Sequence, residues 1–188
     1  MRTCPVTLCS TPLFFETVAY EIERKFLLRE GEAFKEESTR VLHIIQAYIC
    51  REKGRTVRIR VADDKGYLTI KGPASDGISR MEWEREITLT DAKDLLSVCL
   101  PPIIEKERYI IPIPDGRKWE VDVFHGDNEG LVMAEIELSS PDQPYPIPAW
   151  LGKEVTGDPK YYNSNLGRRP FREWSEEEKN EERAFEKG

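Results

Sequence analysis

At 188 residues with 39% hydrophobic content, the chain is long enough for one domain with a sizeable core. Its formal charge of -7 argues against a general electrostatic grip on nucleic acid, which needs a broad basic surface, while leaving room for a locally basic pocket. No run of about 18 apolar residues crosses the sequence, and Pro5 and Pro12 break any signal-peptide core near its start, so a cytoplasmic protein without membrane contact is expected.

Residues 1–19 lack periodicity and read as an N-terminal extension, with the domain proper spanning 20–174 and a charged tail over 175–188. From Tyr20 onward, eight segments mix β-branched or aromatic residues with alternating polarity: 20–28, 44–51, 56–63, 65–71, 80–88, 105–113, 118–124 and 131–139. Asp63-Asp64-Lys65-Gly66 and Pro114-Asp115-Gly116 read as hairpin connections, and Gly72-Pro73 through Gly77 as a longer loop. Helices are expected at 32–42, at 91–100 with Thr90 as cap, and at 149–155; the Glu-rich stretch 175–183, without an apolar residue, reads as a solvated helix or a disordered tail. Cys4, Cys9, Cys50 and Cys99 have no zinc-ligand spacing and only His43 and His125 to help, so reduced thiols are expected.

The strands carry like-charged residues at alternate positions, which places each pair on one face. Glu21/Glu23, Glu82/Glu84, Glu120/Asp122 and Glu135/Glu137 are acidic; Arg58/Arg60 and Lys106/Arg108 are basic, with Lys25 and Lys71 placed singly. A wet sheet face alternates apolar and charged residues for no further reason, but it normally mixes signs, because like charges on neighbouring positions repel. Here the sign is segregated strand by strand. If the sheet closes into a barrel, these residues meet in a polar lumen, with helices over the apolar outer faces.

Carboxylates concentrated in this way repel one another unless a cation binds between them. Hard oxygen donors favour magnesium, manganese or calcium, and arginine and lysine together recognise phosphate oxygens. That combination describes a phosphoryl-transfer site. No Walker loop and no Ser or Cys nucleophile paired with His is present, so activated water is the expected attacking group.

The segment Tyr20-Glu21-Ile22-Glu23-Arg24-Lys25-Phe26-Leu27 resembles the opening strand of the CYTH superfamily, also called triphosphate tunnel metalloenzymes. Val57-Arg58-Ile59-Arg60, Leu68-Thr69-Ile70-Lys71-Gly72, Arg80-Met81-Glu82-Trp83-Glu84, Glu105-Lys106-Glu107-Arg108-Tyr109, Trp119-Glu120-Val121-Asp122 and Ala134-Glu135-Ile136-Glu137 follow in matching order, closing with Glu154-Val155-Thr156 and Tyr161-Tyr162-Asn163. The compact bacterial members are the most similar.

The resemblance implies an α+β, mainly antiparallel β fold: a closed or nearly closed eight-stranded tunnel with a few flanking helices. It implies phosphate contacts from Lys25, Arg58, Arg60, Lys71, Lys106 and Arg108. Glu21, Glu23, Glu135 and Glu137 would hold Mg2+ or Mn2+, and Glu82, Glu84 and Asp122 would complete a second metal site or orient water. Arg80 and Lys160 are lesser candidates, Lys160 reading better as a surface lysine. Arg85 should lie on the opposite, exposed face.

The implied partner is a triphosphate-containing small molecule, with no nucleic acid and no membrane; a homodimer stays open. The implied activity is metal-dependent hydrolysis of inorganic triphosphate or a related compound. A nucleoside or thiamine triphosphatase, a class IV type adenylate cyclase and a non-hydrolysing polyphosphate-binding module are the alternatives. Tyr48, Trp83 and Phe124 read equally well as core, as lumen fillers or as ligand contacts.

Overall fold

A computed structural model describes residues 19–183 apart from 30, 53 and 75–78; the side chains of 19–21, 73, 74, 79, 80 and 180–183 also lie outside the description. The expected N-terminal extension therefore falls outside the described residues except for Ala19, as do the tip of the loop through Gly77 and the last residues of the tail.

One antiparallel sheet dominates. Its strands are β1 (Ala19–Leu28), β2 (Arg40–Glu52), β3 (Arg55–Ala62), β4 (Lys65–Ala74), β5 (Ser79–Ile87), β6 (Leu100–Pro112), β7 (Lys118–Phe124), β8 (Val132–Leu138) and β9 (Leu151–Glu154). They run in the order β5-β4-β3-β2-β6-β7-β8-β1-β9. The start of β1 also registers against β5, from Ala19↔Glu82 to Ile22↔Ser79. The sheet is thus strongly curled but not closed, its ends meeting only over this short seam, and among the described residues it has nine strands where a closed or nearly closed tunnel of eight was expected.

The ninth strand replaces an expected helix. Residues 149–155 do not coil; Leu151 and Glu154 pair with Leu28 and Phe26 of β1. Gly152 permits this approach, since a Cβ there would stand 2.8 Å from the Leu27 carbonyl oxygen. The expected helix at 32–42 is likewise cut short. Only α1 (Ala33–Glu37) forms, and from Arg40 the chain joins β2 because Arg40, Val41 and Leu42 find partners at Ile110, Tyr109 and Arg108 of β6.

Helix α2 spans Leu89–Leu96, shifted from the expected 91–100, and its cap is Thr88 rather than Thr90: the Thr88 hydroxyl accepts from the Asp91 amide at 3.0 Å. It ends before Leu100, which already belongs to β6. Ala92 packs α2 on Ile59 and Val61 of β3. Gly66 makes the fit possible, because a Cβ there would lie 2.6 Å from that of Ala92. A short α3 (Asn163–Leu166) lies among the C-terminal turns, and the tail's Glu-rich segment is helical, as α4 (Glu176–Arg183).

Two larger cores flank the curled sheet. Phe26, Trp119, Ala134 and Ile136 pack with Phe34 and Trp150 on one side. Leu27, Phe124, Leu131 and Met133 pack with Tyr161, Leu166, Phe171 and Trp174 from the C-terminal region on the other. The successive β1 residues Phe26 and Leu27 enter different clusters, which is the period of two expected of a strand covered on both faces.

Candidate active site

The charged residues singled out by the alternation converge on one cavity of about 1300 Å³. β1 contributes Glu23 and Lys25, β3 contributes Arg58 and Arg60, and β4 contributes Lys71. Glu82 and Glu84 come from β5, Arg108 from β6, and Glu135 and Glu137 from β8. Lys106 and Asp122 are buried beside Arg108 and are not part of the lining. For Glu21 only the backbone register, opposite Arg80, is described.

Strand register explains the pairing. Lys25 and Glu135 are cross-strand partners, as are Arg108 and Asp122, and Lys71 and Glu82. The Lys25 ammonium donates to Glu135 and lies 3.0 Å from Glu23. Burial alone would lower the affinity of Lys25 for its proton, but Glu135 and Glu23 outweigh it and hold the group above the ordinary lysine range.

Arg108 is the hub of the far wall. Its Nε donates to Asp122 at 2.6 Å and its Nη2 to Asp122 and Glu135 at 2.7 and 3.0 Å, while Nη1 reaches Glu120. Lys106 donates to Asp122 at 2.5 Å. Burial nevertheless pushes the Lys106 ammonium down to about 8, with Arg108 adding to the effect and Asp122 opposing it. Asp122, fully buried, stays below the usual carboxylate range: burial opposes this, but Arg108 and Lys106 prevail.

On the near wall, Glu84 accepts from Arg60 Nη2 at 2.9 Å, from Arg58 Nη2 at 3.2 Å and from the Thr69 hydroxyl at 2.5 Å. These partners overcome the upward push of burial and hold its carboxyl below the ordinary range. Lys71 pairs with Glu82 at 3.0 Å. Lys25, Arg58, Arg60, Lys71 and Arg108 are thus each held by a carboxylate that lines the cavity.

The cavity lining also holds residues the alternation did not single out: Arg51, Arg117, Lys118 and Arg168. Arg51 donates to the carbonyls of Gly167 and Pro101, and Lys118 lies 2.6 Å from Glu120. Lys118 alternates with Glu120 in β7, a signal legible in sequence; the place of Arg168 depends on how the C-terminal turns fold back. Thr156, in the closing motif, accepts from the Lys25 amide at 2.9 Å and lines the cavity. Lys160 is not in the lining and lies 5.0 Å over the rings of Tyr161 and Trp174. Arg85 is exposed and lies over Trp83, as its strand parity required. Tyr48 lines the cavity, whereas Phe124 is core and Trp83 is exposed.

The donor set suits a hard divalent cation: Glu23 and Glu137 are direct cross-strand partners and both line the cavity, a like-charge juxtaposition that a cation relieves. Among the described residues, no group of three or more His, Cys, Asp or Glu side chains is already gathered to hold one. Two carboxylates, with phosphate oxygens completing the shell, are enough for magnesium.

A family model described as the CYTH domain matches residues 19–163. The chain belongs to the CYTH family. This CYTH chain is 49% identical over 157 residues to a protein of Acetivibrio thermocellus named inorganic triphosphatase, covering 83% of this chain and 98% of that protein. It is 34% identical over 149 residues to a Nitrosomonas europaea protein of the same name, covering 78% and 95%. A crystal structure described as an inorganic triphosphatase matches the CYTH chain with a TM-score of 0.54 at 31% identity, covering 78% of this chain and 93% of that one.

Proposed function

We propose that this chain is a metal-dependent inorganic triphosphatase, cleaving tripolyphosphate to phosphate and pyrophosphate inside the curled sheet, which acts as a tunnel. The observation that supports it best is the pairing of cations with carboxylates around a single cavity. The two relatives named inorganic triphosphatase, each matched over nearly its whole length, agree with it.

Lys25, Arg58, Arg60, Lys71 and Arg108 are neutralised by Glu135, Glu84, Glu82 and Asp122. A triphosphate exchanges those partners. Its oxygens take hydrogen bonds from the lysines and arginines, arginine offering two parallel donors where lysine offers a point charge. Glu23, Glu135 and Glu137, with Glu21, are the residues that would hold Mg2+ or Mn2+. Bound there, the ion would neutralise phosphate oxygens and make a coordinated water more acidic.

Glu82 and Glu84 face the phosphates from β5, the strand that registers against the start of β1. Glu84, kept ionised by Arg60, Thr69 and Arg58, is an acceptor that orients the attacking water, and Glu82 beside Lys71 can take its proton. Water oxygen bonds to the terminal phosphorus as the bridging P–O bond breaks, and the electron pair leaves on pyrophosphate, stabilised by the basic side chains. Asp122, bonded to both Lys106 and Arg108, acts by holding these two cations in place.

A second reading has an observation of its own. The cavity exceeds the roughly 300–1,000 Å³ usual for small-molecule sites, leaving room for an organic group beyond the triphosphate. Nucleoside or thiamine triphosphate would then also be accepted. Phosphate release from tripolyphosphate, ATP and thiamine triphosphate, each with Mg2+, Mn2+ or excess EDTA, separates the readings. Tripolyphosphate should be turned over fastest, and EDTA should abolish the activity. Tight tripolyphosphate binding without phosphate release would favour a binding module instead.

The functional unit is assigned to residues 20–174, in keeping with the family match over 19–163. Cys50 and Cys99 are free thiols, consistent with a reducing cytoplasm. No described helix is long and apolar enough to cross a membrane.

A further inference from the structure

Gln46 is a polar residue that the charge pattern does not include. On β2 it lies between Ile44 and Tyr48, and its cross-strand partners are Arg60 on β3 and Ile104 on β6. Cross-strand partners share a face, and Arg60 lines the cavity, as does Tyr48. Gln46 therefore belongs to the cavity side of the sheet, packed behind the lining residues rather than among them, with no solvent exposure at all.

Both ends of its side-chain amide lack a hydrogen-bond partner among the described residues. The Nε of Arg60, directly across the strand pair, is buried and unpartnered as well. A buried amide with neither end satisfied destabilises a fold, and the flanking positions are filled by fully buried Ile44 and Ile104. An apolar residue at position 46 would continue that strip without the penalty.

We propose that Gln46 is a further triphosphate-contacting residue, its amide Nε2 donating to a phosphate oxygen while its Oε1 accepts from Arg60 Nε. The proposal rests on the triphosphatase reading above. Arg60 is held by Glu84 through its Nη2; when a phosphate draws the guanidinium away from that carboxylate, Gln46 takes up the unpartnered Nε and fixes the plane of the fork. A neutral donor also adds a hydrogen bond without adding to the repulsion among Arg58, Arg60 and Arg108.

The test compares full-length wild type, Gln46→Leu and Gln46→Glu in steady-state phosphate release from tripolyphosphate and in thermal unfolding. Gln46→Leu should unfold at the wild-type temperature or above it, while KM rises about tenfold, the factor that one hydrogen bond to a charged group supports. Gln46→Glu, equal in size but negative toward phosphate, should raise KM further. A Gln46→Leu protein with KM within twofold of wild type, one that loses only kcat, or one that is less stable or fails to fold overturns the inference, because the amide then serves the fold or nothing. Wild type that releases no phosphate would overturn the triphosphatase reading instead, and this inference with it.

Discussion

Lys25 and Glu135 face each other across β1 and β8, and each is nearly buried in the wall of the cavity. Their contact joins the sides of the site, because Glu135 also accepts from Arg108. Removing one member of a buried pair leaves a charge without its counterion, which costs about 3–5 kcal/mol. Lys25→Met should fall near the lower end, since Arg108 still faces Glu135, and tripolyphosphate turnover should drop at least tenfold. Urea unfolding beside phosphate release checks this; adding Glu135→Gln should restore part of the stability and none of the activity.

Asp122 is completely buried between Lys106 and Arg108. Asp122→Asn leaves two buried cations with a neutral amide for company, so a loss of about 3–5 kcal/mol is expected in denaturant unfolding. Activity should fall as well, through misplacement of Arg108. A stability within about 0.5 kcal/mol of wild type, the range of an inconsequential surface change, would contradict the reading of Asp122 as the anchor of both.

The tail should be dispensable. Helix α4 is tied to the domain by Arg169, which donates to Glu178 at 2.7 and 2.6 Å. Glu178 is exposed enough that such a bridge adds little. Truncation after Trp174 should keep tripolyphosphate turnover and lower the melting temperature by about 2 °C or less. Arg169 and the Ser175 amide hold the Glu178 carboxyl at about 2, below its ordinary 4.5. Its contribution is therefore present above pH 4.5 and fades as pH falls toward 2, so the two forms should converge over that window. A truncated protein that no longer folds would contradict the domain boundary.

The lumen chemistry was legible because charge alternation is local: Arg58/Arg60 or Glu135/Glu137 declare their shared face within three residues. Elements that depend on distant partners were not. Residues 149–155 carry nothing that separates a short helix from a short strand, and the β1 edge that recruits Leu151–Glu154 lies far away in sequence. Arg40–Leu42 likewise become strand because β6 is there to pair with them. Thr88 and Thr90 are both plausible caps, and only the turn geometry chooses. Among the site residues, the burial of Asp122 and Lys106 behind Arg108 depends on the curl of the sheet, Arg51 at the end of β2 is met by the Gly167 carbonyl, and Arg168 reaches the cavity through the C-terminal turns. No alternation marks those.

The paired acidic and basic residues of this one cavity are proposed to bind and hydrolyse tripolyphosphate with a divalent metal. Phosphate release from tripolyphosphate by wild type and Glu23→Gln, side by side with Mg2+ or Mn2+, tests this most directly. Glu23 is only partly buried, so the variant should fold normally while its turnover falls at least a hundredfold, in line with losing one group that acts at the transition state. Wild type that releases no phosphate, or a Glu23→Gln protein as active as wild type, would contradict the account.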